Sequence, residues 1–257
     1  MSRRFVFLVA LGVAACLAAS AADLRAGKNA VELRGKKLAV YALPAVGRAE
    51  APAVLFLPGD RGWAGKAVDM GNQMASWGFD VFAVDTNDYL SAFTGRTTLT
   101  EAQIAADLLA LSNRLAPGRP VLLTGWSEGA GLVALAASSS ERGSKYAGVV
   151  VFGLGNRNFL AWRWKDNFTS AVGAEPDEPT FAVKPHLAAI APLPIAMLHS
   201  TQDQFVSAAE ARALYEAARE PRKLIEVEAQ NHRFDGNDEG FYRELRGAIE
   251  WAIQQRR

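Results

Sequence analysis

One cysteine, three histidines and no excess of either charge set the first limits on this chain. The single thiol, Cys16, excludes a disulfide within the chain. His186, His199 and His232 have no H-E-x-x-H or comparable ligand spacing, so the sequence requires no metal and no cofactor. Lys and Arg number 28 against 27 Asp and Glu, a net charge of +1. That balance gives no basic field for nucleic acid and no acidic tail. There is no internal repeat and no low-complexity tract. What remains is a chain of 257 residues, 50% hydrophobic and 21% charged, the profile of one large globular domain with a substantial core.

The amino terminus has the layout of a secretory signal peptide. Arg3 and Arg4 precede an apolar run at residues 5–19, and Ala18, Ala19, Ser20, Ala21 and Ala22 follow. The run is shorter than the roughly 20 apolar residues that span a bilayer. Ala19-Ser20-Ala21 fits an A-x-A cleavage site, which makes residues 1–21 a leader and 22–257 the mature domain. Val13-Ala14-Ala15-Cys16 resembles a lipobox and offers a second mode, a lipoprotein anchored through Cys16. Continuation of the run through Leu17 to Ala19 favours ordinary cleavage. The expected location is the periplasm. Cleavage before Ala22 removes two arginines and takes the net charge from +1 to −1.

Beyond the leader, strand and helix signals alternate. Residues 37–43 and 53–57 read as neighbouring strands punctuated by Gly47 and Pro52. Residues 67–77 have helical spacing with Gly78 as a stop, and 79–84 read as a strand ending at Asp85. Residues 98–115 form a strong helix, with Thr100 as a cap and Ile104, Leu108, Leu109 and Leu111 near one face. Further strands are expected at 120–124, 147–152, 193–199 and 223–227, with helices at 129–137, 208–218 and 240–253. This alternation predicts an α/β fold, a mostly parallel central sheet with helices on both faces, whose functional loops gather at the carboxyl ends of the strands. Residues 156–188 break the alternation with aromatics and prolines and read as a short cap-like insertion.

The chemistry is concentrated at Gly125-Trp126-Ser127-Glu128-Gly129, a G-x-S-x-G framed by the strand Val121-Leu122-Leu123-Thr124 and the small-residue helix Gly129-Ala130-Gly131-Leu132. A sharp strand-to-helix turn exposes the serine hydroxyl, and the flanking glycines avoid clashes there. The helix start adds backbone N–H groups and a positive dipole end near a developing oxyanion. A serine hydroxyl needs an adjacent base to act as nucleophile. His232 lies after the last strand, where the order Ser…Asp…His expects that base. Asp203, in Ser200-Thr201-Gln202-Asp203-Gln204-Phe205-Val206, lies where the orienting acid is expected. Its rivals Asp235 and Asp238 fit a helix cap or turn better. The N–H of Glu128 and that of Asp60, in the loop Pro58-Gly59-Asp60-Arg61-Gly62-Trp63, are the candidate oxyanion donors. Their side chains must point away or pair with a cation such as Arg61, because negative charge there opposes catalysis.

On these residues the chain resembles the α/β-hydrolase superfamily. Three stretches resemble the bacterial virulence proteins of the VirJ/AcvB type: Leu57-Pro58-Gly59-Asp60-Arg61-Gly62-Trp63, Thr100-Glu101-Ala102-Gln103-Ile104-Ala105-Ala106-Asp107-Leu108, and the elbow itself. Arg61 stands where that pattern has glycine. The resemblance implies a periplasmic protein and hydrolysis of an envelope lipid such as aminoacylated phosphatidylglycerol.

The expected function is that of a serine hydrolase cleaving an ester or related acyl bond through an acyl-enzyme. Its partner is a small-molecule or lipid ester, with contact to a membrane surface compatible and nucleic acid excluded. Trp63 and Trp126 flank the expected centre, and Trp162, within Phe159-Leu160-Ala161-Trp162-Arg163-Trp164-Lys165, belongs to the insertion. All three are candidate substrate-binding residues, with core packing as the alternative. A catalytically silent periplasmic protein that uses the same fold to bind a partner is the rival function. A peptidase is a third.

Overall fold

Side chains along a strand alternate between its two faces, and the central strands of this chain are apolar on both. Leu55 and Leu57 pack into one core cluster while Val54 and Phe56 pack into another. Val149 and Val151 divide from Val150 and Phe152 in the same way. Such a sheet has to be covered on both sides. The computed structural model describes residues 24–256 apart from 48, 49, 173 and 175, and it has that sandwich.

In chain order the elements are β1 (Gly27–Leu33), β2 (Lys36–Leu43), β3 (Glu50–Leu57), α1 (Lys66–Ser76), β4 (Phe79–Val84), α2 (Thr86–Phe93), α3 (Glu101–Leu115), β5 (Val121–Trp126), α4 (Glu128–Ser138), β6 (Tyr146–Phe152), β7 (Arg157–Phe159), α5 (Trp164–Ala171), β8 (Thr180–Ala182), α6 (Lys184–Leu187), β9 (Ile195–Ser200), α7 (Ala208–Ala217), β10 (Arg222–Val227) and α8 (Asp238–Gln255). The main sheet runs β1-β2-β4-β3-β5-β6-β9-β10. Strand β2 is antiparallel to both β1 and β4, and every other pairing in the sheet is parallel. Helices α1 and α8 cover one face, contributing Met70, Met74, Leu245 and Ile249. Helices α3 and α4 cover the other with Ile104, Leu108, Leu132 and Val133. Helix α4 is buried at every position from Gly129 to Ala137, so the helix that carries the elbow is clamped on all sides.

Several expectations need correction. The strands at 37–43 and 53–57 are consecutive in sequence but not in the sheet: β4 lies between β2 and β3. Residues 27–33 add an edge strand whose pattern is mostly exposed and so carries little periodic signal. The residues after Asp85 form α2, with Asp85 Oδ1 accepting the Asp88 N–H at 3.0 Å as its cap. Helix α3 begins at Glu101, set by a capping box in which Thr100 and Gln103 exchange hydrogen bonds. Between β6 and β9 lie α5, α6 and the two-stranded antiparallel β7–β8 pair, whose strands are joined through α5. The leader and both processing modes, at Ala22 and at Cys16, lie outside the described residues. No helix among the described residues is long and apolar enough to cross a membrane.

Close approach of β3 and α4 fixes the elbow. A Cβ added to Gly129 would collide with the Leu57 carbonyl oxygen, and the Gly129 N–H donates to Pro58 O at 3.1 Å. Gly129→Ala is therefore expected to destabilise the protein by at least about 2 kcal/mol, because backbone cannot yield as a side chain does. Denaturant melts check this, and an unchanged midpoint would contradict the packing.

Candidate active site

Strand β5 ends and α4 begins at Ser127, whose backbone has φ 52° and ψ −116°. A residue with a Cβ adopts positive φ at a cost of order 1–3 kcal/mol, and only where surrounding structure enforces it. The enforcement is visible. Ser127 N–H donates to Phe152 O at 2.9 Å, and Ala130 N–H returns to Ser127 O at 2.9 Å. A Cβ on Gly125 would lie 2.5 Å from Gly129 O, so that position must be glycine. On the other side, a Cβ on Gly59 would meet Ser127 Cβ at 3.2 Å and its Oγ at 3.8 Å. The loop after β3 thus passes directly beside the hydroxyl.

That loop is held from β4 and α2. Asp85 Oδ2 accepts the Trp63 N–H at 2.9 Å, and Thr86 Oγ1 donates to Pro58 O at 2.7 Å. Asn87 Nδ2 donates to Asp60 O at 3.0 Å. One carboxylate, that of Asp85, both caps α2 and fixes the loop after β3.

His232 and Asp203 meet. His232 Nδ1 lies 2.7 Å from Asp203 Oδ2, and both groups are buried. Asp203 Oδ1 accepts the N–H groups of Phe205 and Val206, each at 2.9 Å, which locks the carboxylate toward the ring. Burial raises the Asp203 pKa, but the hydrogen bond from His232, that ring's charge and the two amides outweigh it, and the net shift is downward. The imidazole rests on Gly153, where φ is +61° and a Cβ would sit 2.6 Å from His232 Cε1 and 3.1 Å from Nε2. Gly153 directly follows Phe152, the residue that binds the Ser127 N–H. The ring therefore lies on the strand end that adjoins the elbow. Gln204 Oε1 anchors the His232 N–H at 2.9 Å, and Phe205, 69% exposed, sets its ring edge-on to the imidazole at 5.3 Å.

The other two histidines make no hydrogen bond to this pair, although His199 feels the charges of both Asp203 and His232. His199 is buried in β9, and burial lowers its pKa. His186 contacts Glu101 at 3.2 Å. Asp235 and Asp238 both pair with Lys66 at 3.0 and 2.6 Å, at the start of α8.

Of the candidate substrate-binding tryptophans, Trp162 is corrected. It is 2% exposed, packs edge-on to Phe159, and spends its indole N–H on Asn167, so it anchors the insertion as part of the core. Trp63 stacks on Tyr41 and rests against Gly71 in α1, and Trp126 stacks on Phe152. Both rings take part in core packing. A cavity of about 260 Å³ lined in part by Arg34, Lys36 and Phe93 includes none of Ser127, Asp203 and His232 in its walls.

Sheet order, reversed second strand and serine elbow together define the α/β-hydrolase fold. Solved structures of that fold resemble the chain along most of its length. Est1E from Butyrivibrio proteoclasticus matches with a TM-score of 0.64 at 14% identity, over 89% of this chain and 100% of that one. The esterase domain of a Rhodothermus marinus protein matches at 0.60 and 20% identity, over 86% and 94%. The Paleococcus ferrophilus monoacylglycerol lipase matches at 0.60 and 16% identity, over 86% and 100%. At such identities the likeness is one of fold. Residues 52–251 match the family described as bacterial virulence protein (VirJ), and the chain belongs to that family. No curated protein matches it.

The lowered Asp203 pKa has a consequence for stability. Its carboxylate stabilises the folded chain above the unfolded pKa of about 3.9, and that contribution is lost as pH falls through the lower folded value. Asp203→Asn should be less stable than wild type near neutrality, with the gap closing below about pH 4 in urea titrations. A gap independent of pH down to about 3 would contradict the pairing.

Proposed function

We propose that the chain is an exported serine hydrolase that cleaves an ester or related acyl bond. Ser127 attacks the carbonyl, His232 takes its proton and returns it to the leaving group, and Asp203 holds the imidazole tautomer and stabilises the imidazolium. Water, activated by the same histidine, then releases the acyl group. The observation that carries this reading is the buried 2.7 Å contact between His232 and Asp203, with the ring laid on Gly153 beside a serine of enforced positive φ. A buried acid–imidazole pair next to a strained serine is costly to maintain and has a ready explanation in nucleophile activation.

The Ser127 hydroxyl makes no hydrogen bond among the described residues, so the serine-to-histidine link is part of the proposal. In enzymes of this kind that contact is often long and tightens in the substrate complex. Oxyanion stabilisation is assigned to the N–H groups of Glu128 and Asp60. The Glu128 N–H lies at the start of a helix, and the Asp60 loop is pressed against the serine through Gly59.

The substrate is assigned an apolar portion. Phe205 stands exposed at the imidazole, and the insertion presents Trp164 and Phe168, 76% and 59% exposed, on successive turns of α5. An amphipathic ester, including an aminoacylated phospholipid of the envelope, suits these surfaces better than a hydrophilic peptide. The similar folds of an esterase domain and a monoacylglycerol lipase agree with this choice. The leader pattern supports a periplasmic location.

Turnover of a panel of short-chain, long-chain and aminoacyl esters tests the reading. Ser127→Ala and His232→Ala are each expected to lower kcat by about three orders of magnitude or more, with melting temperature little changed in Ser127→Ala and lowered in His232→Ala, which leaves the Asp203 carboxylate without its partner. Equal turnover by wild type and Ser127→Ala would refute it.

A further inference from the structure

The cavity beside Arg34 and Phe93 presents cations and hydroxyls, and no acidic residue is among the described residues that line it. Its key cation is held by an unusual turn. Leu33 pairs with Lys36 across β1 and β2, so Arg34 and Gly35 alone make the hairpin connection, with φ of 47° and 75°. Such a turn needs positive φ at both places and ordinarily takes asparagine then glycine. An arginine in the first place is strained, and the contacts of its side chain hold it there. Arg34 Nε and Nη2 donate to the two oxygens of Asp107 at 2.8 and 2.7 Å. Asp107 is 3% exposed and takes a further hydrogen bond from Tyr89 Oη at 2.9 Å. The guanidinium lies over the Phe93 ring, 3.9 Å from its centroid. Pairing along one edge and stacking on one face fix the group before any ligand arrives. Its remaining nitrogen, Nη1, has no hydrogen-bond partner among the described residues.

The other walls add donors. Asp107 compensates the charge of Arg34, but Lys36 has no ion-pair partner among the described residues. Thr97 and Thr98 line the cavity with side-chain hydroxyls that make no hydrogen bond among the described residues, and Phe93 and Leu99 give it an apolar side. The threonine loop is itself tied down: Leu99 N–H donates to Leu160 O at 3.2 Å, and Thr94 Oγ1 accepts the Trp162 N–H at 3.0 Å. Val40 pairs with Val84, the last residue of β4, so Arg34 and Lys36 lie beyond the carboxyl end of that strand. The cavity is therefore at the same end of the sheet as the elbow, near its β1–β2 edge.

We propose that this cavity binds a phosphate group, either that of a soluble phosphate or phosphate ester or that of a lipid head group. Arg34 and Lys36 supply the charge, and Thr97 and Thr98 supply hydroxyl donors. Donors brought together from a hairpin and a separate loop suit the several acceptor oxygens of a phosphate better than the two of a carboxylate. At about 260 Å³ the cavity is smaller than pockets that enclose whole drug-sized ligands, and its size suits a single polar group. The site goes beyond the hydrolase reading and does not depend on it, so binding should be the same in Ser127→Ala.

The test is a titration of the folded protein with inorganic phosphate at constant ionic strength, read through the backbone amide resonances of Thr97 and Thr98. These resonances are expected to shift saturably. Lys36→Gln should weaken binding at least about fivefold, and acetate should bind wild type more weakly by a similar factor. Lys37→Gln removes an equal charge from the neighbouring residue, which does not line the cavity, and should change nothing. Arg34→Lys keeps a cation for Asp107 but loses the fork, and it too should bind more weakly, with melting curves confirming the fold. Monomeric short-chain phosphatidylglycerol identifies the source. Saturation of the same resonances with displacement of inorganic phosphate assigns a lipid head group, and binding of inorganic phosphate alone assigns a soluble phosphate; either supports the site. Absence of a saturable shift, or equal weakening by Lys36→Gln and Lys37→Gln, would overturn it. Acetate binding as tightly as phosphate would overturn the choice of ligand.

Discussion

The backbone at Ser127 is turned in a direction that a side-chain-bearing residue takes only when its neighbours leave no other course. Those neighbours are specific. Gly125 and Gly129 let β5 and α4 approach without a Cβ between them, and Phe152 O captures the Ser127 N–H. A helix buried from Gly129 to Ala137 cannot shift to relieve the turn. The strain is thus borne by the whole sandwich, and its effect is to present one hydroxyl at the carboxyl end of the sheet, where loops from four strands meet.

Each of those loops brings one part. The loop after β3 runs against Ser127 and is tied down by Asp85, Thr86 and Asn87. The loop after β9 brings Asp203, fixed by two backbone amides, and the loop after β10 brings His232, fixed by Asp203 and Gln204. The segment after β6 supplies Gly153, which leaves room for the imidazole, and then Asn158, which grips Glu128.

How much of this the sequence reveals depends on whether the signal is local. The elbow is legible because its glycines, its leading strand and its following helix lie within a dozen residues, and Thr100 with Gln103 announces α3 in the same way. His232 and Asp203 are legible through chain order, and the structure places the two in contact. Sheet order is not: nothing in residues 36–57 tells that β4 will insert between β2 and β3. Aromatic identity is equally silent about direction. Trp162 looks like a substrate contact in a run of aromatics and cations, yet it is a buried anchor. Asp85 and Asn158 each act on residues more than 20 positions away, and no spacing rule reports such contacts.

The central claim is that Ser127 is an activated nucleophile, and covalent capture measures that most directly. Folded wild-type protein treated with a fluorophosphonate should take up one phosphonyl group per chain, mapped by mass spectrometry to the peptide containing Ser127. The adduct should be absent in Ser127→Ala and form far more slowly in His232→Ala. Folded protein that stays unmodified, or that is modified equally fast without His232, would contradict the account.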